Sequence, residues 1–129
     1  MSYLLIRKTI LFLYTLGIVI VSLQPITGTS SIPHLDKVQH FIVYAGLALL
    51  LFLAFQLNNR RIIGIIGAVL LGIMIEILQP LIAGRERSFL DFLANCVGII
   101  FGTLIYWRYK RPLETLVQSI EDRILPPRP

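Results

Sequence analysis

Four long apolar segments dominate this 129-residue chain and set what it can fold into. They run over Ile10–Leu23, Gln39–Leu57, Ile62–Ala83 and Phe89–Trp107. At about 1.5 Å of rise per residue, a helix of roughly 20 residues crosses a hydrocarbon core about 30 Å thick. Charged residues make up 15% of the sequence, whereas soluble domains carry about 25%. The sequence therefore predicts an all-α, four-helix transmembrane bundle without a separate soluble domain.

The first apolar segment is the shortest, and Arg7 and Lys8 precede it as basic residues precede a signal peptide. No alanine occurs before Ala45, so the small-residue pattern of a cleavage site is missing. We therefore expect a retained first span. With flanking residues included, spans are expected at about 8–24, 39–57, 62–83 and 89–107, within one membrane domain over residues 1–111.

Lysine and arginine at the span ends predict the orientation in the membrane. With four spans, both termini and the 58–61 loop share one side, and that side is expected to be the cytoplasm of a bacterial plasma membrane because basic residues concentrate there. The net charge of +5 is explained in this way, so nucleic acid is not an expected partner. The basic residues near the span ends on that side are Arg7, Lys8, Arg60, Arg61, Arg108, Lys110 and Arg111, against Lys37, Arg85 and Arg87 on the other.

The pattern changes after Pro112. Apolar residues from Leu113 to Ile124 recur at helical spacing with polar residues between them, which is typical of an amphipathic helix. We expect residues 112–129 to form a cytoplasmic amphipathic helix, on the membrane surface or packed under the bundle, followed by a disordered proline-rich tail. A frayed tail is the alternative for the whole segment.

Small residues recur every four positions in the third and fourth segments. Gly64, Ala68 and Gly72 form one row, and Ala94, Gly98 and Gly102 form the other. Such rows let helix backbones approach closely in lipid. The simplest interpretation packs the two rows together as an interface between the third and fourth helices. Homodimerisation through one row is the alternative.

Glu76 is the most unusual residue of the chain, because it lies inside an apolar segment. A carboxylate at such a position costs at least about 2.5–3.5 kcal/mol on insertion-type scales and is expected to face a polar cavity. Other polar residues share its depth, since Tyr44, Glu76 and Asn95 each lie roughly 9–11 Å from the outer ends of their spans at about 1.5 Å per residue. Spacings of three or four align these groups on helix faces. The predicted site is an outward-facing polar cup with Glu76 and His40 as hypothetical catalytic residues, and with ligand-binding residues Asp36, Lys37, Tyr44, Gln79, Arg85, Arg87, Asp91 and Asn95.

Each member of the predicted cup has a structural alternative. Asp36 and Asp91 would suit helix N-termini as caps. His40 and Tyr44 would suit the membrane interface, and the loop arginines could be solvated or paired with carboxylates. The cluster as a whole could therefore be a salt-bridge network that locks the bundle.

The motifs resemble those of the VanZ-like family of small bacterial membrane proteins. The resemblance is carried by Asp36-Lys37-x-x-His40-x-x-x-Tyr44, Glu76-x-x-Gln79, Gly84-Arg85 and Asp91-x-x-x-Asn95-x-x-Gly98, in this order. It covers about residues 10–108 and implies a multi-pass plasma-membrane protein. The founding member of the family is linked to resistance to the glycopeptide teicoplanin, whereas the family has no assigned biochemical activity.

The expected function is therefore to bind or process an anionic cell-envelope lipid, for example a polyprenyl-phosphate-linked wall precursor. Burial would raise the pKa of a carboxylate towards neutrality, as a general base requires. A proton path is the weaker alternative because the inner halves of the spans are apolar, and a structural or interaction role is a further one. No cofactor is expected; a divalent metal on His40, Glu76 and Asp91 is conceivable, although no single helix carries metal-type spacing.

Overall fold

The computed structural model describes residues 3–24, 35–83 and 88–124, and the regular elements in these ranges are four α-helices. They are α1 (Tyr3–Ser22), α2 (Leu35–Ala54), α3 (Asn58–Ile82) and α4 (Phe89–Ile124). All four are long and apolar enough to cross a membrane. The predicted four-helix transmembrane bundle is confirmed. The predicted disordered tail at 126–129 lies outside the described residues.

The centre of the bundle is the pair formed by α2 and α4, which share the most extensive contact between any two helices described. Two glycines of α4 make this contact close. A Cβ atom on Gly98 would collide with the carbonyl oxygen of Phe41, and one on Gly102 would collide with that of Ala45. The backbones of α2 and α4 therefore touch at positions where only glycine fits.

The predicted interface between the small-residue rows of α3 and α4 is wrong. The α4 row faces α2, as described above. In the α3 row, Gly64 lies against the side chain of Leu51 of α2, and Gly72 lies against Tyr44 of α2 and Asn95 of α4. The short connection between α3 and α4 makes them neighbours in sequence, but the glycines of the α4 row lie against the backbone of α2 instead. Both rows therefore make contacts within one chain. Homodimerisation stays a prediction, but these rows no longer support it.

Two arginine side chains cap the C-terminal end of α2. Its last carbonyl oxygens have no helical donor, and the side chains of Arg7 and Arg61 donate to them. Arg61 bonds the carbonyl oxygens of Phe55 (2.6 Å) and Phe52 (3.1 Å), and Arg7 bonds that of Leu53 (3.2 Å). A positive charge also suits the negative end of the helix dipole. These arginines, which the sequence indicates only as topology signals, are therefore structural.

The predicted amphipathic helix is the continuation of α4, with a kink rather than a break before it. The backbone of Tyr109 leaves helical geometry at φ −117°, ψ 23°. Pro112 explains the kink, because its ring crowds the carbonyl of Arg108 and cannot donate to it. Beyond the kink the helix packs under the bundle, where the buried Glu121 accepts two bonds from Arg7 at 2.6 and 2.7 Å.

Candidate functional site

Polar side chains from α2, α3 and α4 meet at one end of the bundle, the end at which α2 and α4 begin. The inner members are almost fully buried, since Glu76 is 8% exposed, Asp91 2% and Asn95 1%, whereas Asp36 and Lys37 are partly exposed. Apolar residues that include Leu47, Ala48 and Ile99 form the core. We call this group the polar cluster, and its described members are Asp36, Lys37, His40, Tyr44, Glu76, Gln79, Asp91 and Asn95.

His40 is the centre of the polar cluster. Its Nδ1 lies 2.9 Å from Oδ1 of Asn95, and because this oxygen is an acceptor, Nδ1 carries the proton. In the tautomer that carries only this proton, Nε2 has the lone pair, and it lies 3.9 Å from Oδ2 of Asp91. That separation is too long for a hydrogen bond. The two atoms thus face each other across a small gap.

Asp91 faces the cluster instead of capping α4. Ser88 fills the capping position, since its hydroxyl oxygen accepts a bond of 3.2 Å from the backbone N–H of Asp91. The Asp91 carboxylate is consequently available to α2, and its Oδ1 lies 3.1 Å from Nζ of Lys37. Lys37 also pairs with the neighbouring Asp36 at 2.9 Å.

Glu76 and Gln79 connect α3 to its surroundings. The backbone N–H of Ser88 donates to Oε2 of Glu76 at 3.3 Å, which ties the deep carboxylate to the start of α4. Gln79 donates to the carbonyl oxygen of Ser22 at 3.2 Å and reaches the end of α1. Glu76 and Gln79, which are three residues apart in α3, therefore contact two different helix ends: the start of α4 and the end of α1.

Two polar atoms on the inner side of the cluster have no hydrogen-bond partner among the described residues. They are the hydroxyl of Tyr44 and Nδ2 of Asn95, both on side chains that are 1% exposed. Both lie against Gly72, one helical turn before Glu76. A buried donor without a partner costs about 1–3 kcal/mol, so this corner of the site suits a small polar ligand or water.

A cavity of about 320 Å³ reaches the polar cluster between α1 and α2. One part of its lining is apolar, with Val21 and Val43, and the other part is polar, with Ser22, Gln39, His40 and Tyr44. The mixed lining suits an amphiphilic molecule.

The structure brings three metal-binding side chains together. One ligand atom each from His40, Glu76 and Asp91 lies within 4.8 Å of the other two, and all three residues are buried. The residues come from three helices, in agreement with the absence of metal-type spacing within any one of them, and they are the three that the sequence made conceivable as a metal-binding set.

The predicted ligand-binding residues Arg85 and Arg87 lie outside the described residues. Their place relative to the cluster therefore stays a prediction, whereas the other eight predicted site residues all belong to the cluster.

A second polar group, at the opposite end of the bundle, was missed by the sequence interpretation. Arg61 is buried and donates to the hydroxyl of Tyr106 at 2.8 Å, and this hydroxyl donates to Glu114 at 2.7 Å. The guanidinium also lies over the rings of Phe52 and Tyr106. Arg61 and Tyr106 are 45 positions apart, and each alone is typical of a membrane interface, so no sequence signal indicated their pairing.

The family model VanZ/LLP1 matches residues 3–110, which include all four membrane-spanning segments and the whole polar cluster. The chain belongs to the VanZ/LLP1 family. The predicted resemblance is thereby confirmed.

A relative of this VanZ/LLP1 protein occurs in Schizosaccharomyces pombe. This uncharacterised fission-yeast protein is 30% identical over 119 residues, and the alignment covers 86% of the present chain and 71% of the relative. This relative is eukaryotic, so the predicted bacterial source of the present chain stays a prediction. No solved structure matches the chain.

Proposed function

We propose that this VanZ/LLP1 protein binds an anionic lipid or lipid-linked precursor of the cell envelope at the polar cluster. The cavity between α1 and α2 carries the proposal, because its apolar wall suits an acyl or prenyl chain and its polar wall leads to His40 and Tyr44. A ligand with both characters would enter from the membrane, where exposed apolar residues such as Val21 line the approach.

Cationic side chains near the cluster are the proposed contacts for the head group. Lys37 is partly exposed and already bridges two carboxylates, so it neutralises the cluster at its mouth. Arg85 and Arg87 belong to the same side of the membrane by chain topology, and guanidinium groups bind phosphate or carboxylate bidentately. With both termini cytoplasmic, as the distribution of basic residues favours, this mouth opens outside the cell.

Glu76 and His40 are the proposed acid–base pair for a reaction on the bound lipid. The geometry supports His40, whose Nδ1 proton is held by Asn95 and whose Nε2 lone pair is therefore directed into the cluster. A buried carboxylate beside it provides a second proton-transfer group. We propose catalytic roles for Glu76 and His40 only.

Binding is tested by native mass spectrometry of the full-length protein with polyprenyl phosphate, phosphatidylglycerol and phosphatidylcholine. We expect the two anionic lipids to bind at least tenfold more tightly than phosphatidylcholine, and Arg85→Ala to remove most of the difference. Arg108→Ala, a matched loss of one cation at the opposite end, should leave it unchanged. Equal retention of the three lipids by the parent protein would contradict the proposal.

The link to glycopeptide resistance is tested in cells. Expression of the parent chain in a susceptible Gram-positive host should raise the teicoplanin concentration needed to stop growth, and expression of Arg85→Ala should not. An unchanged susceptibility with a correctly inserted parent chain would separate this protein from the founding member of the family.

A structural role is the second candidate, and the hydrogen bonds of the cluster favour it. His40 joins α2 to α4, Lys37 does the same through Asp91, and Gln79 joins α3 to α1. Thermal unfolding in detergent discriminates between the candidates. If His40→Ala and Glu76→Gln unfold at the parent temperature but lose lipid binding, the site is functional; if they unfold many degrees earlier, the cluster is a lock.

A further inference from the structure

We propose that His40, Glu76 and Asp91 bind one divalent transition-metal ion, with Zn²⁺ as the best fit. This assignment is an alternative to the acid–base role of His40 and Glu76, because the same ring nitrogen and carboxylate cannot serve both purposes. The three ligand atoms lie within 4.8 Å of one another in a buried site, close enough for small side-chain rotations to bring them to the separation of about 3.3–3.6 Å that tetrahedral ligands of one zinc ion have. One imidazole nitrogen with two carboxylate oxygens favours zinc over magnesium or calcium, because those ions prefer oxygen alone.

The orientation of His40 supports the metal site. A metal-binding histidine almost always donates its other ring N–H to an oxygen acceptor, which fixes the tautomer. Here Oδ1 of Asn95 is that acceptor at 2.9 Å. Nε2 is left with its lone pair directed towards Asp91, in the state that a metal requires.

The two oxygens of Asp91 divide between two partners. Oδ1 lies 3.1 Å from Nζ of Lys37, and Oδ2 faces His40 Nε2 at 3.9 Å. The second separation is too long for a direct hydrogen bond, and it exceeds by only a few tenths of an ångström the roughly 3.3–3.6 Å between two tetrahedral ligands at about 2.0–2.2 Å from one ion. Lys37 therefore orients the carboxylate without occupying the oxygen that the metal would use.

Tyr44 and Asn95 supply an independent observation. Their hydroxyl and Nδ2 groups lack hydrogen-bond partners among the described residues, although both side chains are 1% exposed. Three protein ligands leave one position of a tetrahedral zinc ion for water or a substrate oxygen. A molecule at that position would provide a partner for these two buried groups, which lie one turn from Glu76 against Gly72.

The experiment uses the full-length protein in detergent, stripped with a chelator and titrated with Co²⁺ as a coloured substitute for Zn²⁺. We expect visible absorption typical of low-coordinate Co²⁺, saturating at one ion per chain and abolished by Zn²⁺. Elemental analysis after dialysis against Zn²⁺ should give the same stoichiometry. No lipid is present, so the outcome is independent of the proposed lipid function.

Variants locate the ion. His40→Ala and Asp91→Asn should each abolish the absorption, and Asn95→Ala should weaken binding about 10- to 100-fold, as loss of a partner behind a metal ligand does. Asp122→Asn, at the opposite end of the bundle, should bind like the parent. Circular dichroism identifies variants that fail to fold, and for those the stabilisation of the parent by Zn²⁺ in thermal unfolding replaces the variant measurement.

The proposal is overturned if the parent chain binds no saturating Co²⁺, or if the folded His40→Ala protein retains the parent spectrum. A parent chain that unfolds at the same temperature with and without Zn²⁺ would also overturn it, because an ion bound only to the folded state must stabilise that state.

Discussion

At the scale of single residues, the chain contrasts glycines that are required with glycines that are not. Gly98 and Gly102 lie against backbone carbonyls of α2, whereas a methyl group added to Gly67 or Gly17 would have no heavy atom within 4 Å. The sequence shows both kinds in the same apolar context. Only the packing partner tells them apart, and this partner is a helix more than 40 residues away along the chain.

Gly98→Ala should destabilise the protein by about 1–3 kcal/mol, the usual cost of forcing a methyl group into a packed contact. The added carbon would collide with the carbonyl oxygen of Phe41, which cannot rotate away as a side chain could. Equilibrium unfolding in mixed detergent measures the change.

Gly67→Ala is the matched control, on an open face of α3. It should be neutral or slightly stabilising, because alanine is the better helix former. Equal destabilisation by the two substitutions would mean that the close contact between α2 and α4 is not what Gly98 provides.

At the scale of elements, α4 is one continuous helix with two parts, which meet at the kink at Tyr109. Its 36 residues would extend about 54 Å at 1.5 Å per residue, far more than the 30 Å core of a bilayer. The helix is therefore too long to lie entirely within the bilayer core. Polar contacts hold the part beyond Tyr109, chiefly those of Glu121 with Arg7, together with a bond of 3.0 Å from the hydroxyl of Tyr3 to Asp122.

Glu121→Gln should loosen the part of α4 beyond the kink, because it replaces a buried carboxylate that accepts two guanidinium bonds. Charged hydrogen bonds of this kind contribute about 1.5–3 kcal/mol. Hydrogen exchange measured by mass spectrometry should show faster exchange over residues 112–124 and unchanged exchange in α2.

Asp122→Asn provides the comparison for this substitution, since Asp122 is exposed and such surface contacts contribute less than about 1 kcal/mol. Similar exchange in both variants would contradict the structural role assigned to the Arg7–Glu121 pair.

At the scale of the whole molecule, the sequence predicted the helices and eight polar residues that lie together in the structure but not the packing, and Arg85 and Arg87 stay predictions. Long apolar segments identify spans directly, and Glu76 identifies the site because a carboxylate in lipid demands partners. The pairing of α2 with α4 could not be predicted, since a row of small residues indicates that another helix packs closely but does not indicate which helix. The contact between Arg61 and Tyr106 could not be predicted for the same reason, because each residue alone is typical of a membrane interface.

The even number of spans predicts both termini on one side, and the Tyr3–Asp122 bond places the first and last described helical turns together. Single cysteines in a Cys96→Ser background test the side. A membrane-impermeant maleimide added to intact cells should label Thr29→Cys, between α1 and α2, and should label Asn59→Cys only after the cells are opened. Labelling of Asn59→Cys in intact cells would reverse the orientation and direct the polar cluster inwards.

Because α2 is synthesised before α4, its polar face enters the bilayer before its partner exists. His40 must wait for Asn95, which follows 55 residues later, and Lys37 must wait nearly as long for Asp91. During translation the early helices therefore depend on the insertion machinery, or on water at the membrane surface, to shelter these groups. Contact with α4 supplies the partners that α2 needs, so a chain truncated before α4 would present an unfinished polar surface to cellular quality control.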